Sequence, residues 1–372
     1  MNMSLPEAAL KRIANELPSS DVYSMILINK SFAASTIKSL WHHVALRGKR
    51  QINALTRCLK KGGKATFPYG SYVKEMSLYE FNPTMGDYDP TDLEINMNLI
   101  NSIAPFFPNL ASIGLFFGFP DATIGSSSPS PFPFDALASS IPGLEALQVW
   151  NSYNPTPSLR NLITNCKNLV RLDVAFFYMD AGVLAHVLEK GKKIRNLHLN
   201  AIMGVSNDEL VSCLAKAPDQ LRELSYRGVQ PLTPAHIGQI VRYQHRITYL
   251  GIVGSALNAH GLQTLSALPS LKRLELEFSP VDQSVVTETD FINLVTETKS
   301  LKHLHLEKPN FYSIDLIQHI VASCPHMDSF SIGLRQDKQQ ARNLVDEIKA
   351  YGHASCDANG LVMFERSKKP LA

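Results

Sequence analysis

Apolar residues recur along most of the chain in one fixed spacing. A leucine-like residue is followed by two variable residues, a second leucine-like residue, one variable residue and a third. The first positions of eight copies in one frame lie 24 to 30 residues apart, which indicates a repeat architecture with one structural unit per copy. Two looser copies, Val73/Met76/Leu78 and Leu110/Ile113/Leu115, precede these eight: Leu144/Leu147/Val149, Leu169/Leu172/Val174, Ile194/Leu197/Leu199, Leu221/Leu224/Tyr226, Ile247/Leu250/Ile252, Leu271/Leu274/Leu276, Leu301/Leu304/Leu306 and Met327/Phe330/Ile332.

The segments between these copies have helical periodicity, and each begins with a residue that can cap a helix. The predicted helices are Thr156 to Asn165, Asp180 to Glu189, Ser206 to Ala217, Thr233 to Tyr243, Thr289 to Thr298 and Ser313 to Ser323. Each unit is therefore predicted to contain one strand and one helix, and the fold class is α/β.

Parallel strands that alternate with helices form either a closed barrel or an open array. A barrel strand is buried on both faces, whereas here polar residues such as Arg171, Asp173, His303 and His305 alternate with the leucines. One face of the sheet is therefore expected to be exposed, which favours an open solenoid.

Over about residues 70 to 365 the chain resembles the ribonuclease-inhibitor-like class of leucine-rich repeats. The resemblance implies parallel strands on a concave face and helices on a convex face. Phe177, Ile202 and Val229 depart from it, because they stand where the family places Asn or Cys. Cys166 and Cys324 each precede a strand by three residues and are expected to be small buried thiols.

Residues 4 to 46 have a helical period throughout and predict three short helices. Ser4 and Glu7 form a capping-box pattern, Pro18 ends the first helix, and Asp21 and Ser31 begin the second and third. So short a segment buries little apolar surface by itself, and a partner or the first repeat is expected to cover it.

This segment resembles the F-box. Leu5-Pro6-Glu7, the Asp21-Val22 pair and Leu40-Trp41 match the motif, while Ala9, Asn29 and Phe32 replace its usual residues. The resemblance implies contact with a Skp-type adaptor of a cullin ligase through Leu5, Pro6, Leu10, Ile13, Leu17, Val22, Ile28 and Phe32. The predicted domains are an F-box-like helical module with linker over residues 1–60 and a leucine-rich-repeat domain with a C-terminal cap over residues 61–372.

Composition excludes several classes of protein. The chain is 45% apolar and carries a net charge of +3 without a basic cluster, which indicates a folded protein that does not bind nucleic acid. No apolar run reaches the roughly 20 residues of a membrane span. Five cysteines without CxxC spacing argue against disulfides and zinc. A cytoplasmic or nuclear protein is expected.

Motifs that could carry chemistry are sparse. Ser35 and Lys38 match an SxxK pattern by chance, and residues 61–64 lack the features of a phosphate-binding loop. His303, His305 and Glu307 alternate on one strand and could bind a metal, but solvated side chains or a target contact explain them better. No catalytic residue, metal site or cofactor is predicted, and the chain is expected not to be an enzyme.

The exposed strand positions are the predicted site for an unidentified target protein. Aromatic and arginine side chains dominate protein interfaces, which singles out Trp150, Arg227, Tyr249 and Arg273, although any such repeat also needs a solvated face. The predicted target-binding residues are Trp150, Arg171, Asp173, His198, Arg227, Tyr249, Arg273, Glu275, His303, His305 and Glu307.

The two resemblances together imply a substrate-recognition subunit of an SCF-type ubiquitin ligase. Two alternatives stay open. One is a leucine-rich-repeat regulator of the GTPase-activator type, which needs a rim arginine that reaches a nucleotide. The other is a scaffold that uses the F-box for assembly without ubiquitylation.

Overall fold

The computed structural model describes residues 37–38, 40–60, 69–79, 95–117, 132–150, 156–228, 230–255, 257–278, 286–307, 314–333, 338–349, 352–357 and 361–366. The chain divides into two compact units, Met1–Arg171 and Leu172–Ala372. Among the residues described, no helix is both long enough and apolar enough to cross a membrane.

The first unit alternates strands and helices along the chain. The four strands among the described residues of this unit are parallel, and the residues at the second motif position, such as Met76, Ile113 and Leu147, lie opposite one another in register. Its elements are β1 (His43–Arg47), α1 (Gly48–Lys60), α2 (Tyr69–Tyr72), β2 (Glu75–Tyr79), α3 (Met97–Ile103), a 3₁₀ turn (Ala104–Phe106), β3 (Ser112–Phe116), α4 (Phe134–Ser140), β4 (Ala146–Trp150) and α5 (Thr156–Asn165).

The second unit continues the same alternation. Strands β6 to β11 are parallel, and the chain then closes with an antiparallel pair in which β13 lies beside β11. Its elements are β5 (Arg171–Tyr178), α6 (Ala181–Lys190), β6 (Asn196–Met203), α7 (Asn207–Lys216), β7 (Glu223–Gly228), α8 (Pro234–Tyr243), β8 (Tyr249–Ser255), α9 (Ala259–Ser266), β9 (Arg273–Phe278), α10 (Glu288–Glu297), β10 (His303–Glu307), α11 (Ile314–Ser323), β11 (Ser329–Gly333), α12 (Lys338–Ile348), β12 (Gly352–Cys356) and β13 (Leu361–Arg366).

The leucine positions form the core of both units. All three apolar residues of each of the eight regular copies are at most 5% exposed, including the aromatic Tyr226 and Phe330. The intervening strand residues point to the opposite face, as the alternation of side chains along a strand requires. The predicted α/β fold with leucine-rich-repeat architecture is confirmed, and repeats of this kind present an extended surface to protein partners.

Several helices begin directly after a residue whose side chain caps them. The Ser206 hydroxyl accepts from the Glu209 amide, and the Glu209 carboxylate accepts from the Ser206 amide at 2.8 Å. Thr287 and Asp290 repeat this capping box before α10, so that this helix begins one residue before the predicted Thr289. Capping of this kind satisfies amide donors that would otherwise lack a partner at the helix end.

A buried residue lies three positions before the motif at the turn from helix to strand. The Cys166 amide donates to the Leu162 carbonyl at 2.7 Å, and the Cys166 carbonyl accepts from the Leu169 amide at 3.2 Å. Cys324 makes the equivalent pair of bonds with Ile320 and Met327. Both thiols are buried, as expected from the sequence.

Burial raises the pKa of the Cys166 thiol from 9.0 to about 11. The unfolded chain therefore ionises this thiol first, and its contribution to stability is complete below pH 9 and is lost as the pH rises towards 11. In urea unfolding monitored by tryptophan fluorescence, Cys166→Ala is expected to lose less stability between pH 9 and 11 than the wild type does. The difference should approach about 2 kcal/mol, since one pKa unit corresponds to about 1.4 kcal/mol.

Ile163→Val provides the control, because it trims a neighbouring buried side chain without removing a titrating group. Its stability should follow the wild-type curve at a constant offset. Parallel curves for Cys166→Ala and the wild type across this pH range would contradict the assigned burial.

The predicted helical period of residues 4 to 46 is wrong at its end, since His43 to Leu46 lie in β1. Val44 and Leu46 face Met76 and Leu78 across the parallel pairing with β2. Trp41, Val44 and Leu46 have the spacing of the repeat motif, so this strand belongs to the repeat array. The Trp41 ring lies 4.8 Å from that of Tyr69.

The antiparallel pair at the C-terminal end has no counterpart in the repeat motif. Phe364 of β13 stacks on Phe330 of β11 with ring centroids 5.1 Å apart. A Cβ atom at Gly352 would lie 2.4 Å from the Glu365 carbonyl oxygen, so glycine permits the close approach of β12 and β13. This hairpin pairs with the edge of β11, where a further parallel strand would otherwise pair.

Candidate functional site

The predicted adaptor contacts lie outside the described residues. They are Leu5, Pro6, Leu10, Ile13, Leu17, Val22, Ile28 and Phe32. Adaptor binding therefore stays a prediction from the sequence.

The predicted target-binding residues all lie on strands, at positions that alternate with the buried leucines. Trp150 belongs to the first unit, and Arg171, the first residue of β5, is the last residue of that unit. The second unit carries Asp173, His198, Arg227, Tyr249, Arg273, Glu275, His303, His305 and Glu307. Their role in binding stays a prediction, and the contacts of each group indicate what it can bind.

In the first unit, Trp150 ends a row of aromatic side chains across three strands. Its ring is 5.5 Å from that of Phe116, which in turn stacks on Tyr79 at 4.3 Å. The Arg47 guanidinium lies over the Tyr79 ring at 5.4 Å. Pairing of β1 to β4 in register brings these four residues together from positions 32 to 37 residues apart, and the sequence prediction included only Trp150.

In the second unit, His198 lies between two carboxylates on neighbouring strands. Its Nδ1 is 3.0 Å from Oδ1 of Asp173, and its Nε2 is 3.4 Å from Oε2 of Glu223. Asp173 is only 6% exposed, so this carboxylate has exchanged most of its water for contact with protein. The ring of His198 also meets the edge of the Tyr249 ring at 5.7 Å. These contacts connect four adjacent strands through their outward side chains.

Tyr249, Arg273 and Glu275 form the next group along the sheet. The Tyr249 hydroxyl donates to Oε2 of Glu275 at 2.8 Å, and Nε of Arg273 donates to Oε1 of the same carboxylate at 3.1 Å. The Arg273 guanidinium also lies over the Tyr249 ring at 5.1 Å. Both oxygens of Glu275 are therefore engaged within the chain.

These contacts change the ionisation of two groups. Burial, followed by the hydrogen bond to Glu275 and its charge, raises the pKa of Tyr249 to about 12. Burial would raise the pKa of Glu275, but hydrogen bonds from Tyr249 and Arg273 and the positive charge of Arg273 outweigh it and lower that pKa. At neutral pH, Tyr249 is thus a neutral donor and Glu275 an ionised acceptor.

Two histidines of β10 each face a serine of β11. Nδ1 of His303 is 2.8 Å from Oγ of Ser329, and Nδ1 of His305 is 2.6 Å from Oγ of Ser331. Within the part of the chain that the structure describes, no three His, Cys, Asp or Glu residues are grouped so that they could hold a metal ion. The two histidines of this alternating sequence pattern therefore pair with serines of the neighbouring strand.

A depression of about 450 Å³ lies over β9, β10 and β11. Its lining consists mainly of polar side chains, and only Leu304 among its residues is apolar. The lining residues are Arg273, Glu275, His303, Leu304, His305, Ser329 and Ser331. Arg273, His303 and His305 therefore line the same hollow, and all three are predicted target-binding residues with basic side chains.

Apolar side chains are exposed where β5 and β6 end. Phe176, Tyr178 and Met203 are each more than 40% exposed. Met203 also lines a hollow of about 280 Å³ that extends to Tyr226. Phe176 and Ala201 occupy equivalent positions, two residues after the third leucine, with φ of 51° and 50°. Left-handed backbone at these two residues is unfavourable, and it coincides in β6 with a bulge between Asn200 and Ile202.

No protein-family model matches the chain, and no curated protein matches it. A solved structure of the leucine-rich-repeat-containing protein LegL7 from Legionella pneumophila is 15% identical and covers 83% of this chain and 98% of its own, with a TM-score of 0.49. A complex of Rad7 and Elc1 from yeast is also 15% identical, covers 82% of this chain and 89% of that chain, and has a TM-score of 0.43. The function of this chain must therefore be argued from its own residues.

Proposed function

We propose that this chain is the substrate-recognition subunit of a cullin-type ubiquitin ligase. The F-box-like segment binds the Skp-type adaptor, and the outward face of the repeat strands binds a target protein. The observation that carries the proposal is the order of two patterns in the sequence. An F-box-like segment ends at Leu40-Trp41, and the first strand of the repeat array begins at His43.

The outward strand faces support the binding of a target protein, because they carry the types of side chain that are common in protein interfaces. The first unit presents an exposed tryptophan in an aromatic row, and the second presents arginine, tyrosine and histidine among carboxylates. Aromatic and arginine side chains contribute most to affinity, while the charged groups around them select the partner.

The contribution of this chain to ubiquitin transfer is proximity. A target held near the loaded conjugating enzyme reacts at a higher effective concentration, without a reacting group on the receptor. The two serine–histidine pairs do not constitute a catalytic triad, because a triad needs a third group that orients the imidazole. The nearby Glu275 carboxylate is engaged by Tyr249 and Arg273 instead.

Co-purification with the adaptor tests this function. The full chain, co-expressed with a Skp-type adaptor, is expected to elute with it from size exclusion as a one-to-one complex. Addition of the cullin and its RING subunit should then give a larger complex that supports ubiquitin transfer to this chain or to its bound target. Separate elution of a folded chain and a folded adaptor would contradict the proposal.

A further inference from the structure

The hollow over β9, β10 and β11 has more hydrogen-bond donors than its own residues use. Nε of Arg273 donates to Glu275, and its Nη2 also donates to that carboxylate. An arginine has five N–H donors, so the outer edge of the guanidinium keeps donors that point away from Glu275. The hollow therefore has one cationic donor group available to a ligand.

Each histidine–serine pair adds a donor whichever tautomer it adopts. If Nδ1 of His303 carries the proton, it donates to Ser329 and the serine hydroxyl is left to donate outward. If the hydroxyl donates to Nδ1 instead, the proton lies on Nε2 of the ring and that group is left as the donor. The same reasoning applies to His305 and Ser331, so the two pairs always supply two donors.

Basic residues also stand directly before three strands of the second unit, outside the lining of the hollow. The residues directly before β7, β9 and β10 are Arg222, Lys272 and Lys302, and backbone hydrogen bonds connect them in a ladder through Thr248. Lys272 is exposed, whereas Nζ of Lys302 donates to the His326 carbonyl. Asp328, directly before β11, continues the same ladder and is acidic.

Two carboxylates of β9 near the hollow already have partners within the chain. Glu275 faces Arg273 and Tyr249, and Glu277, further along β9, lies 3.9 Å from Arg227. A cationic ligand would have to compete with these arginines for their carboxylates. An anionic ligand meets the open edge of Arg273 and the two histidine–serine pairs.

We propose that this hollow binds a carboxylate of an acidic segment of the target protein. An arginine guanidinium and neighbouring hydroxyl or imidazole donors are the groups that carboxylates prefer in proteins. The volume of about 450 Å³ is larger than one acidic side chain needs, so the hollow also accommodates the adjacent peptide backbone. This inference rests on the proposed function, because it names the chemistry of the target that the strand face recognises.

Selection from a random twelve-residue peptide library displayed on phage, with the full chain immobilised, tests the inference. Enriched peptides are expected to carry Asp or Glu at one fixed position, and replacement of that residue by its amide should weaken binding about tenfold or more. Arg273→Gln should weaken the best peptide by a similar factor. Arg242→Gln, which changes an exposed arginine on α8 and not on the strand face, should weaken it less than about twofold.

Thermal unfolding of each variant separates loss of the site from loss of the fold. A variant that unfolds at the wild-type temperature and yet fails to bind supports the assignment of Arg273. The double variant Ser329→Ala with Ser331→Ala should weaken binding more than the arginine control does and less than Arg273→Gln does. Each histidine keeps its own ring N–H donor after the serine hydroxyl is removed.

Several outcomes would overturn the inference. These are a selection without binders, binders enriched in Lys or Arg, or an equal loss for Arg242→Gln and Arg273→Gln. A phosphoserine at the selected position that binds more than about tenfold tighter than the carboxylate would assign the hollow to a phosphorylated target instead. Adaptor co-purification of the same preparations is independent of the hollow, so its failure is distinguishable from failure of peptide binding.

Discussion

Replacement of Leu197 by alanine is expected to lower the free energy of unfolding by roughly 2 to 5 kcal/mol. Leu197 occupies the second motif position of β6 and is fully buried, with Leu224 opposite it on β7. The alanine would leave a cavity between sheet and helices, because packed neighbours relax only in part. The loss exceeds most single substitutions, since it combines lost apolar burial with lost packing.

Circular dichroism during urea unfolding is the suitable measurement. Both tryptophans, Trp41 and Trp150, lie in the first unit, so fluorescence would report mainly on the wrong part of the chain. Asn196→Ala changes the neighbouring outward position of the same strand and should alter stability by less than about 0.5 kcal/mol. A similarly small effect for Leu197→Ala would place this residue on the surface and shift the strand register by one residue.

The repeat fold could be predicted because its determinants are local. Each strand needs three apolar residues at fixed spacing, and each helix needs a capping residue, so both leave a pattern in the sequence. The first strand was missed although Trp41, Val44 and Leu46 keep the same spacing, because the F-box resemblance explained the same residues as a helix. The C-terminal hairpin follows no repeat pattern and depends on how β12 and β13 pair with β11.

The candidate site could be predicted only as a set of outward positions. Alternation along each strand identifies which side chains point outward, but their partners come from strands about 26 residues away. The contacts of His198 with Asp173 and Glu223 depend on the relative register of three strands, which no single motif encodes. The exposed apolar patch at Phe176 could not be predicted from the sequence. Phe176 has left-handed backbone, and phenylalanine is not a residue type that favours this conformation.

Leu10→Asp is expected to weaken adaptor binding by more than about a hundredfold while the repeats stay folded. The spacing of Leu10, Ile13 and Leu17 predicts one apolar helix face, which the F-box resemblance assigns to the adaptor interface. Burial of an unpaired carboxylate and loss of the leucine side chain together cost roughly 3 kcal/mol or more, which corresponds to a factor above one hundred.

Asn15→Asp is the matched control, because it introduces the same charge on the same predicted helix. Its position is five residues, or about 500° of helical rotation, from Leu10, and this places it opposite the apolar face. Affinity for the adaptor, measured by titration calorimetry with the full chain, should change less than about threefold in Asn15→Asp. Circular dichroism should give unchanged unfolding of the repeats in both variants. Equal affinity of Leu10→Asp and the wild type would remove Leu10 from the interface, and equal losses in the two variants would show a general effect of charge.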